Sequence, residues 1–241
     1  MRGVPWLALI VFASACGDNL KESLDYVYDG DPVVCGEPFD DYLVEPNFER
    51  IQQRMQVAAD HGWVLNLYAH SPTETVSLDA LERVLTMIDD AHLSYVTYET
   101  LATLPTSGSA GVALSFDDHS VGTWYAHQDL LLAHHATVSY FVSDYPNMTA
   151  EEHAQLQEIA AMGHVIESHT VDHYNAVEYE AGSGVQAYVD NEVVPEIEAL
   201  RADGYNPTAF AYPFGSRDDA LDAAILQHAA MVRTTPGPCP R

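Results

Sequence analysis

Residues 111–118 of the sequence are GVALSFDD, and this stretch decides how the rest of the chain is interpreted. Its first part, Gly111 to Phe116, carries no charge and is long enough for a strand that is covered on both faces. Two carboxylates, Asp117 and Asp118, follow directly. This pattern is typical of a parallel sheet in which catalytic side chains lie at the carboxyl ends of the strands.

Strand-like runs of the same kind alternate with amphipathic helical patterns from residue 47 onward. Further runs cover residues 63–69, 137–142, 164–168, 208–212 and 230–234. About seven strand–helix units result, and they predict a parallel sheet with helices outside it. Their number favours a barrel, with an open doubly wound sheet as the alternative.

Polar residues that follow these runs supply the candidate chemistry. His169 and His173 follow the run at 164–168, and both imidazoles can reach one ion together with Asp118. Two histidines and one aspartate suit Zn²⁺ or a similar divalent ion and leave coordination positions for water and substrate. The neighbouring Asp117 then stays available as a general base.

The charge of the chain excludes some partners. Its 241 residues contain 36 Asp and Glu against 9 Lys and Arg, a formal net charge of -27. Nucleic acids and anionic membrane surfaces need a basic footprint, so neither is an expected partner. A neutral or cationic partner suits this composition better.

The N-terminal residues indicate export. Residues 1–15 have the basic start and short apolar run of a signal peptide, and Ala13-Ser-Ala-Cys16 resembles a bacterial lipoprotein signal. We therefore expect a lipid on Cys16, which would be the only membrane attachment, and a location in the periplasm or outer cell envelope. A plain secretory peptide without lipid is the alternative. Residues 16–46 are interpreted as a lipid-attached tether and an irregular N-terminal cover, and residues 47–241 as the main domain.

The cysteine count agrees with export. If Cys16 carries a lipid, Cys35 and Cys239 remain as an even pair in an oxidising compartment. A disulfide between them would join the two ends of the mature chain. The alternative is two unrelated thiols.

Three motifs together resemble NodB-type polysaccharide deacetylases (carbohydrate esterase family 4). They are SFDDH at 115–119, ATVSYFV at 136–142 and GHVIESHTVDH at 163–173. The resemblance runs from about residue 63 to 234. It implies a distorted (β/α)7-type barrel, the NodB homology domain.

The resemblance also implies roles for individual residues. Asp117 matches the catalytic base, and Asp118, His169 and His173 match the ligands of a divalent metal ion, expected to be Zn²⁺. Thr170 matches a residue that steadies the second histidine motif. A third motif, AFAYPFG at 209–215, implies that Phe214 and Tyr212 contribute to the substrate and oxyanion site.

Two departures from the family pattern affect the acid and the base. Ala211 stands where many members have an arginine that orients the base, and the C-terminal Leu-x-His that supplies their general acid does not occur. A subgroup that resembles poly-N-acetylglucosamine deacetylases shows both features and carries its histidine on an N-terminal strand. Leu67-Tyr-Ala-His70 resembles that strand, so His70 is the candidate acid. His119, which replaces a usual glycine, is its competitor.

These motifs predict a hydrolase that removes N-acetyl groups from an amino-sugar polysaccharide at the cell envelope. Two alternatives remain open at this point. One is a catalytically silent carbohydrate-binding lipoprotein on the same fold. The other is an amide hydrolase that acts on a small molecule. The sequence makes no prediction of the oligomeric state.

Overall fold

The computed structural model describes residues 24–42, 44–103, 109–237 and 239 of the chain. Within them, ten strands form one sheet. The strands are β1 (Val27–Tyr28), β2 (Val33–Cys35), β3 (Glu37–Pro38), β4 (Val64–Ala69), β5 (Ser94–Tyr95), β6 (Gly111–Asp118), β7 (Ser139–Val142), β8 (Val165–Ser168), β9 (Ala209–Ala211) and β10 (Met231–Thr234).

This sheet is a nearly closed barrel. Its strands follow the order β1-β4-β6-β7-β8-β9-β10-β2, with β3 beside β4 and β5 beside β6. Every pair is parallel except β1 with β4. The fold is therefore the NodB-type (β/α) barrel that the sequence predicts, and the open doubly wound sheet is excluded.

Residues 33–38 close the barrel. β2 pairs with β10 at one edge of the sheet, and β3, which follows after Gly36, pairs with β4 at the other. This differs from the irregular cover that the sequence predicts for residues 16–46. The strands here are two or three residues long, so they are too short to produce a periodic pattern, and their pairing partners lie far away in the sequence.

Helices surround the sheet. They are α1 (Phe48–His61), α2 (Leu78–Asp90), α3 (Tyr98–Leu101), α4 (Val121–Ala126), α5 (Gln128–Ala133), α6 (Ala150–Ala161), α7 (Ala176–Ser183), α8 (Val185–Tyr188), α9 (Val194–Ala202) and α10 (Asp219–Ile225). Several helices begin at side chains that cap them: Asn47 and Ser77 accept from backbone N–H groups, and Thr149 forms a capping box with Glu152.

Three helical segments are irregular. Residues 121–133 form two short helices, α4 and α5, and α7 and α8 follow each other directly around Gly184. Near Pro195, a π-helical turn, Val189–Val193, runs directly into α9. Pro195 has no N–H to donate to the preceding turn, which explains the wider turn at this position.

Small side chains leave room inside the barrel for larger ones. Ala113, Ala209 and Ala211 belong to one buried cluster with Phe141 and Met231. Tyr98 and Leu101, from α3, pack into the same cluster. In the part of the chain that the structure describes, no helix is long and apolar enough to cross a membrane.

Candidate active site

A cavity of about 300 Å³ opens at the carboxyl ends of the barrel strands. It brings together the predicted base, acid, metal ligands and oxyanion-site residues, whereas Thr170 and His119 are not part of its lining. Its lining consists of Tyr68, His70, Asp117, Asp118, His169, His173, Tyr212, Phe214 and Thr235. Strand ends of a parallel barrel meet at one face, which is why residues so far apart in sequence share this cavity.

Three ligand-type atoms converge at one side of the cavity. Oδ1 of Asp118 lies 3.0 Å from Nε2 of His173 and 3.3 Å from Nε2 of His169, and the two nitrogens are 3.2 Å apart. Tetrahedral zinc with bonds of ~2.0–2.2 Å separates its ligand atoms by about 3.3–3.6 Å, so this cluster fits such an ion after a small expansion. Oδ1 of Asp118 is also buried without a geometrically sound hydrogen bond from any described residue, as expected of a metal ligand.

Backbone contacts orient the two histidines. Nδ1 of His169 lies 2.8 Å from the carbonyl oxygen of Ala211, so an Nδ1–H donor there directs the lone pair of Nε2 into the cluster. The backbone N–H of His173 donates to Oγ1 of Thr170 at 3.0 Å, which agrees with the steadying role predicted for that threonine.

The cluster stands on strained backbone. Asp118, Thr170 and His173 all adopt left-handed conformations, with φ of 85°, 74° and 56°. Such conformations are costly for residues other than glycine and persist where the surrounding contacts fix them, often at functional sites. Burial alone would raise the pKa of Asp118, but the close imidazoles of His169 and His173 hold it well below its ordinary value.

The neighbouring carboxylate is held by an arginine. Oδ2 of Asp117 pairs with the guanidinium of Arg233, which is fully buried and lies over the ring of Tyr68 at 4.4 Å. Oδ1 of Asp117 is buried and accepts no hydrogen bond from the described residues. One oxygen is therefore fixed by the arginine, and the other is available to accept a proton.

Arg233 resolves the departure that the sequence shows at Ala211. Ala211 of β9 and Arg233 of β10 are register partners in the sheet. The guanidinium that the family pattern places in the third motif thus enters from the next strand, into space that the small Ala211 leaves. A charged residue inside the apolar run of β10 is the signal that could have identified it from the sequence.

His70 lines the same cavity and is held by Asp40. Its Nδ1 lies 2.6 Å from Oδ2 of Asp40, and its backbone N–H donates to Oδ1 of the same carboxylate at 3.0 Å. Burial lowers the pKa of His70, but the hydrogen bond to Asp40 and the charges of Asp117 and Asp118 raise it to about 9. Sequence reasoning missed Asp40, because it follows a segment with no recognisable pattern.

His119 is directed away from the cavity. Its Nε2 lies 2.9 Å from Oε1 of Glu152, and its Nδ1 lies 3.6 Å from Asp144. It does not contribute to the cavity lining. This geometry favours His70 over His119 as the acid.

The two predicted site residues of the third motif, Tyr212 and Phe214, differ in whether their hydrogen-bond donors are already engaged. The hydroxyl of Tyr212 donates to Asp222 at 2.8 Å, and its backbone N–H donates to the carbonyl of Arg233 at 3.0 Å. Both donors of Tyr212 are therefore engaged, which leaves Phe214 as the candidate oxyanion donor. Phe214 has a left-handed backbone (φ 58°), and its ring packs edge-on against His173.

The structure joins Cys35 and Cys239 by a disulfide, with the Cα atoms 5.8 Å apart. Thr235, beside this link, lines the cavity and was not singled out by any sequence motif. The predicted signal peptide at 1–15 and the predicted lipidation site at Cys16 lie outside the described residues.

A barrel with one carboxylate beside a two-histidine, one-aspartate cluster offers a candidate base and a candidate metal site, the combination that metal-assisted hydrolases use. The chain belongs to the polysaccharide deacetylase family, whose model matches residues 105–232. Membership supports deacetylation of a polysaccharide. No curated protein sequence matches the chain significantly.

Solved structures of deacetylases share the fold. The deacetylase PplD of Streptococcus pyogenes, in complex with acetate, is 21% identical with a TM-score of 0.52, covering 68% of this chain and 78% of its own. IcaB from Ammonifex degensii is 18% identical with a TM-score of 0.51, covering 86% of this chain and 87% of its own. A de-N-acetylase from Aggregatibacter actinomycetemcomitans is 17% identical with a TM-score of 0.52, covering 82% and 84%.

Proposed function

We propose that the protein is a metal-dependent hydrolase that removes N-acetyl groups from an amino-sugar polysaccharide at the cell envelope. The observation that carries this proposal is the arrangement of Asp117. One of its oxygens is fixed by a buried arginine, the other accepts no hydrogen bond from the described residues, and the residue lines the cavity in which Asp118, His169 and His173 converge.

Asp118, His169 and His173 would hold the metal ion. Zinc is the proposed ion, because two imidazoles and one carboxylate suit it. A divalent ion bound there would act as a Lewis acid toward the amide carbonyl and the attacking water. The chain itself keeps His169 in the tautomer that binds metal, through the carbonyl of Ala211.

Asp117 acts as the general base in this proposal. Its Oδ1 accepts a proton from the water that attacks the carbonyl carbon of the N-acetyl group. Arg233 keeps the carboxylate oriented, because the guanidinium pairs with Oδ2 and is itself packed over the rings of Tyr68 and Phe141. The backbone N–H of Phe214 donates to the oxygen on which negative charge develops.

His70 acts as the general acid. The nitrogen of the amide leaves as an amine only if it gains a proton, and His70 with a pKa of about 9 carries that proton at neutral pH. A cation bound to Asp118 would cancel the part of this shift that Asp118 causes. The hydrogen bond with Asp40 would remain, so Asp40 is a positioning residue that also keeps His70 charged.

Arg233 argues against the catalytically silent alternative. Ala211, His119 and the missing C-terminal histidine motif are the features that favour a silent binding protein. For the first of them, the structure supplies a guanidinium at the base from β10. Pure carbohydrate binding gives no reason to bury an arginine against a carboxylate that faces a metal-type cluster.

The rim of the cavity favours a polymer over a small molecule. Phe214 is 66% exposed beside His173, so its ring offers an apolar surface on which a sugar outside the cavity could stack.

The surrounding charge also suits the product, which carries a cationic amine. Every described arginine is engaged with a carboxylate, a carbonyl or an aromatic ring: Arg50, Arg54, Arg83, Arg201, Arg217 and Arg233.

The location follows from the N-terminal sequence. The signal-like residues 1–15 and Cys16 support export and a lipid anchor, which would bring the enzyme to polysaccharides outside the cytoplasm. Mass spectrometry of the protein from the cell envelope tests this: a diacylglyceryl group on Cys16 is expected, and a mature chain without lipid would favour the secretory alternative.

Acetate release tests the proposed function directly. The substrates are N-acetylglucosamine oligomers of increasing length, peptidoglycan and acetylated xylan, each with and without a chelator. We expect release from the N-acetylated substrates, faster from longer oligomers, abolished by the chelator and restored by Zn²⁺. Release that ignores the chelator, or that occurs only from the O-acetylated xylan, would contradict the proposal.

A further inference from the structure

The end of the last strand contacts three parts of the candidate active site. Arg233 pairs with the base Asp117, and Oγ1 of Thr234 donates to the carbonyl of Gly215 at 2.6 Å. Thr235 forms part of the cavity wall. The base, the turn that carries Phe214 and the wall thus depend on three consecutive residues.

The turn around Phe214 depends on a close approach to this segment. Phe214 and Gly215 are both left-handed, with φ of 58° and 63°. A Cβ on Gly215 would lie 1.9 Å from Oγ1 of Thr235, so only glycine lets the two segments pack this closely. Two adjacent left-handed residues keep their conformation only while neighbouring contacts hold them. Here the contacts come from Thr234 and Thr235.

The disulfide fastens this segment to β2, the strand that pairs with β10 where the barrel closes. Cys35 is the register partner of Thr234, and its disulfide partner, Cys239, lies beyond the end of β10. Sγ of Cys239 lies 3.6 Å from the carbonyl oxygen of Thr235. The covalent link therefore folds the chain back directly against the residue that lines the cavity.

We propose that the Cys35–Cys239 disulfide is a positioning element of the active site and that its reduction slows turnover without releasing the metal. It holds Thr235 in the wall and, through Thr234 and Gly215, keeps the backbone N–H of Phe214 aimed at the reacting carbonyl. The candidate metal ligands come from β6 and from the loop after β8. In the sheet, β9 and β10 lie between β8 and β2, the strand that carries Cys35, so the disulfide does not adjoin the strands that carry the ligands. This inference rests on the proposed deacetylation, because its effect is measured on that turnover.

The test compares oxidised enzyme with enzyme reduced under native conditions. A phosphine is used because a dithiol would compete for bound zinc. The S–S bond takes two electrons from phosphorus, water provides the oxygen of the phosphine oxide, and two protons go to the thiols. We measure three quantities on both forms: acetate release from an N-acetylglucosamine oligomer, metal content and the thermal midpoint. The kinetics are measured at a temperature well below both midpoints.

We expect reduction to lower kcat by roughly 10-fold to 10²-fold, the scale of a displacement of about 1 Å, with KM and metal content nearly unchanged. If the disulfide only stabilised the fold, its reduction would lower the thermal midpoint and leave kcat unchanged. That result would overturn the proposal. An oxidised enzyme that releases no acetate from any N-acetylated substrate would instead contradict the proposed function.

Threonine variants decide the question if the reduced protein unfolds. Thr234→Val removes the hydroxyl that bonds Gly215 and should reproduce the loss in kcat, whereas Thr234→Ser should restore it. Thr103→Val is the matched control, because Oγ1 of Thr103 also donates to a backbone carbonyl, at 2.9 Å, but far from the cavity. Equal kcat for Thr234→Val, Thr103→Val and the unchanged chain would overturn the inference.

Discussion

The two sides of the cavity are held in different ways. On the metal side, the backbone N–H of His173 donates to Thr170, three residues away, and Nδ1 of His169 lies 2.8 Å from the carbonyl oxygen of Ala211 in β9, 42 residues away. On the acid and base side, His70 depends on Asp40, 30 residues away, and Asp117 depends on Arg233, 116 residues away. The metal side is thus fixed by a local turn and by the contact between the adjacent strands β8 and β9, whereas the acid and base depend on segments at the closure of the barrel. The two sides should therefore fail separately.

Loss of a metal ligand should have the largest effect. Asp118→Asn keeps the shape of the side chain and removes its negative charge, so we expect metal affinity to fall and acetate release to drop by about 10³-fold or more. Metal content after dialysis and acetate release are the measurements. Asp172→Asn is the matched control, because this exposed residue adjoins His173 without joining the cluster. Full activity of Asp118→Asn with bound metal would contradict the assignment.

Removal of the acid should affect turnover alone. His70→Gln should lower kcat by roughly 10²–10⁴-fold while the bound metal is retained, because only protonation of the amine is lost. His119→Gln should change kcat little, since His119 is bound to Glu152 outside the cavity. Steady-state kinetics and metal analysis of both variants check this, and the reverse ranking would make His119 the acid.

Removal of the buried arginine should affect both activity and stability. Arg233→Met leaves Asp117 buried without its counter-ion, which we expect to lower the free energy of unfolding by about 3–5 kcal/mol and to reduce kcat. Denaturant unfolding measures the first effect. The double variant with Asp117→Asn should recover part of the lost stability. No recovery would mean that Arg233 stabilises the fold mainly through Tyr68 and Phe141.

Asp40→Asn should shift the pH profile. His70 must be protonated to act, so kcat is retained below its pKa of about 9 and lost as the pH rises through it. Without the carboxylate of Asp40 the pKa of His70 falls, and the alkaline limb moves to lower pH. The kcat profile from pH 5.5 to 10 should show a larger loss at pH 8 than at pH 6. A limb that does not move would exclude this role for Asp40.

A second histidine–carboxylate pair, outside the cavity, serves as a reference for the His70–Asp40 pair. Its removal should have the smallest effect of these variants. Nδ1 of His134 lies 2.6 Å from Asp89, the same distance as in the His70–Asp40 pair. Burial lowers the pKa of His134, but its bonds to Asp89 and Glu82 give a net increase. His134→Gln should therefore cost well under 1 kcal/mol of unfolding free energy below pH ~6.5, fading as the pH rises, with no change in kcat.

The metal side could be predicted from the sequence, and the acid and base supports could not. Asp118, His169 and His173 stand in short motifs after apolar runs. The carboxyl ends of parallel strands meet at one face of a barrel, so these residues are expected to lie together. Arg233 and Asp40 act through pairing between segments far apart in the chain. Their partners depend on the register of β9 with β10 and on the short strands of residues 33–38, which have no period to detect.

Closure by residues 33–38 also sets an order of events during folding. β2 finds its partner only when β10 is present, and the cysteines that join the same two segments are 204 residues apart in the sequence. Contacts of such long range form slowly, because a large loop must close before they contribute. The early part of the chain must therefore wait, unpaired at this edge, until its final strand arrives. If the protein is exported through a membrane pore, Asp117 can gain its buried arginine only after nearly the whole chain has crossed.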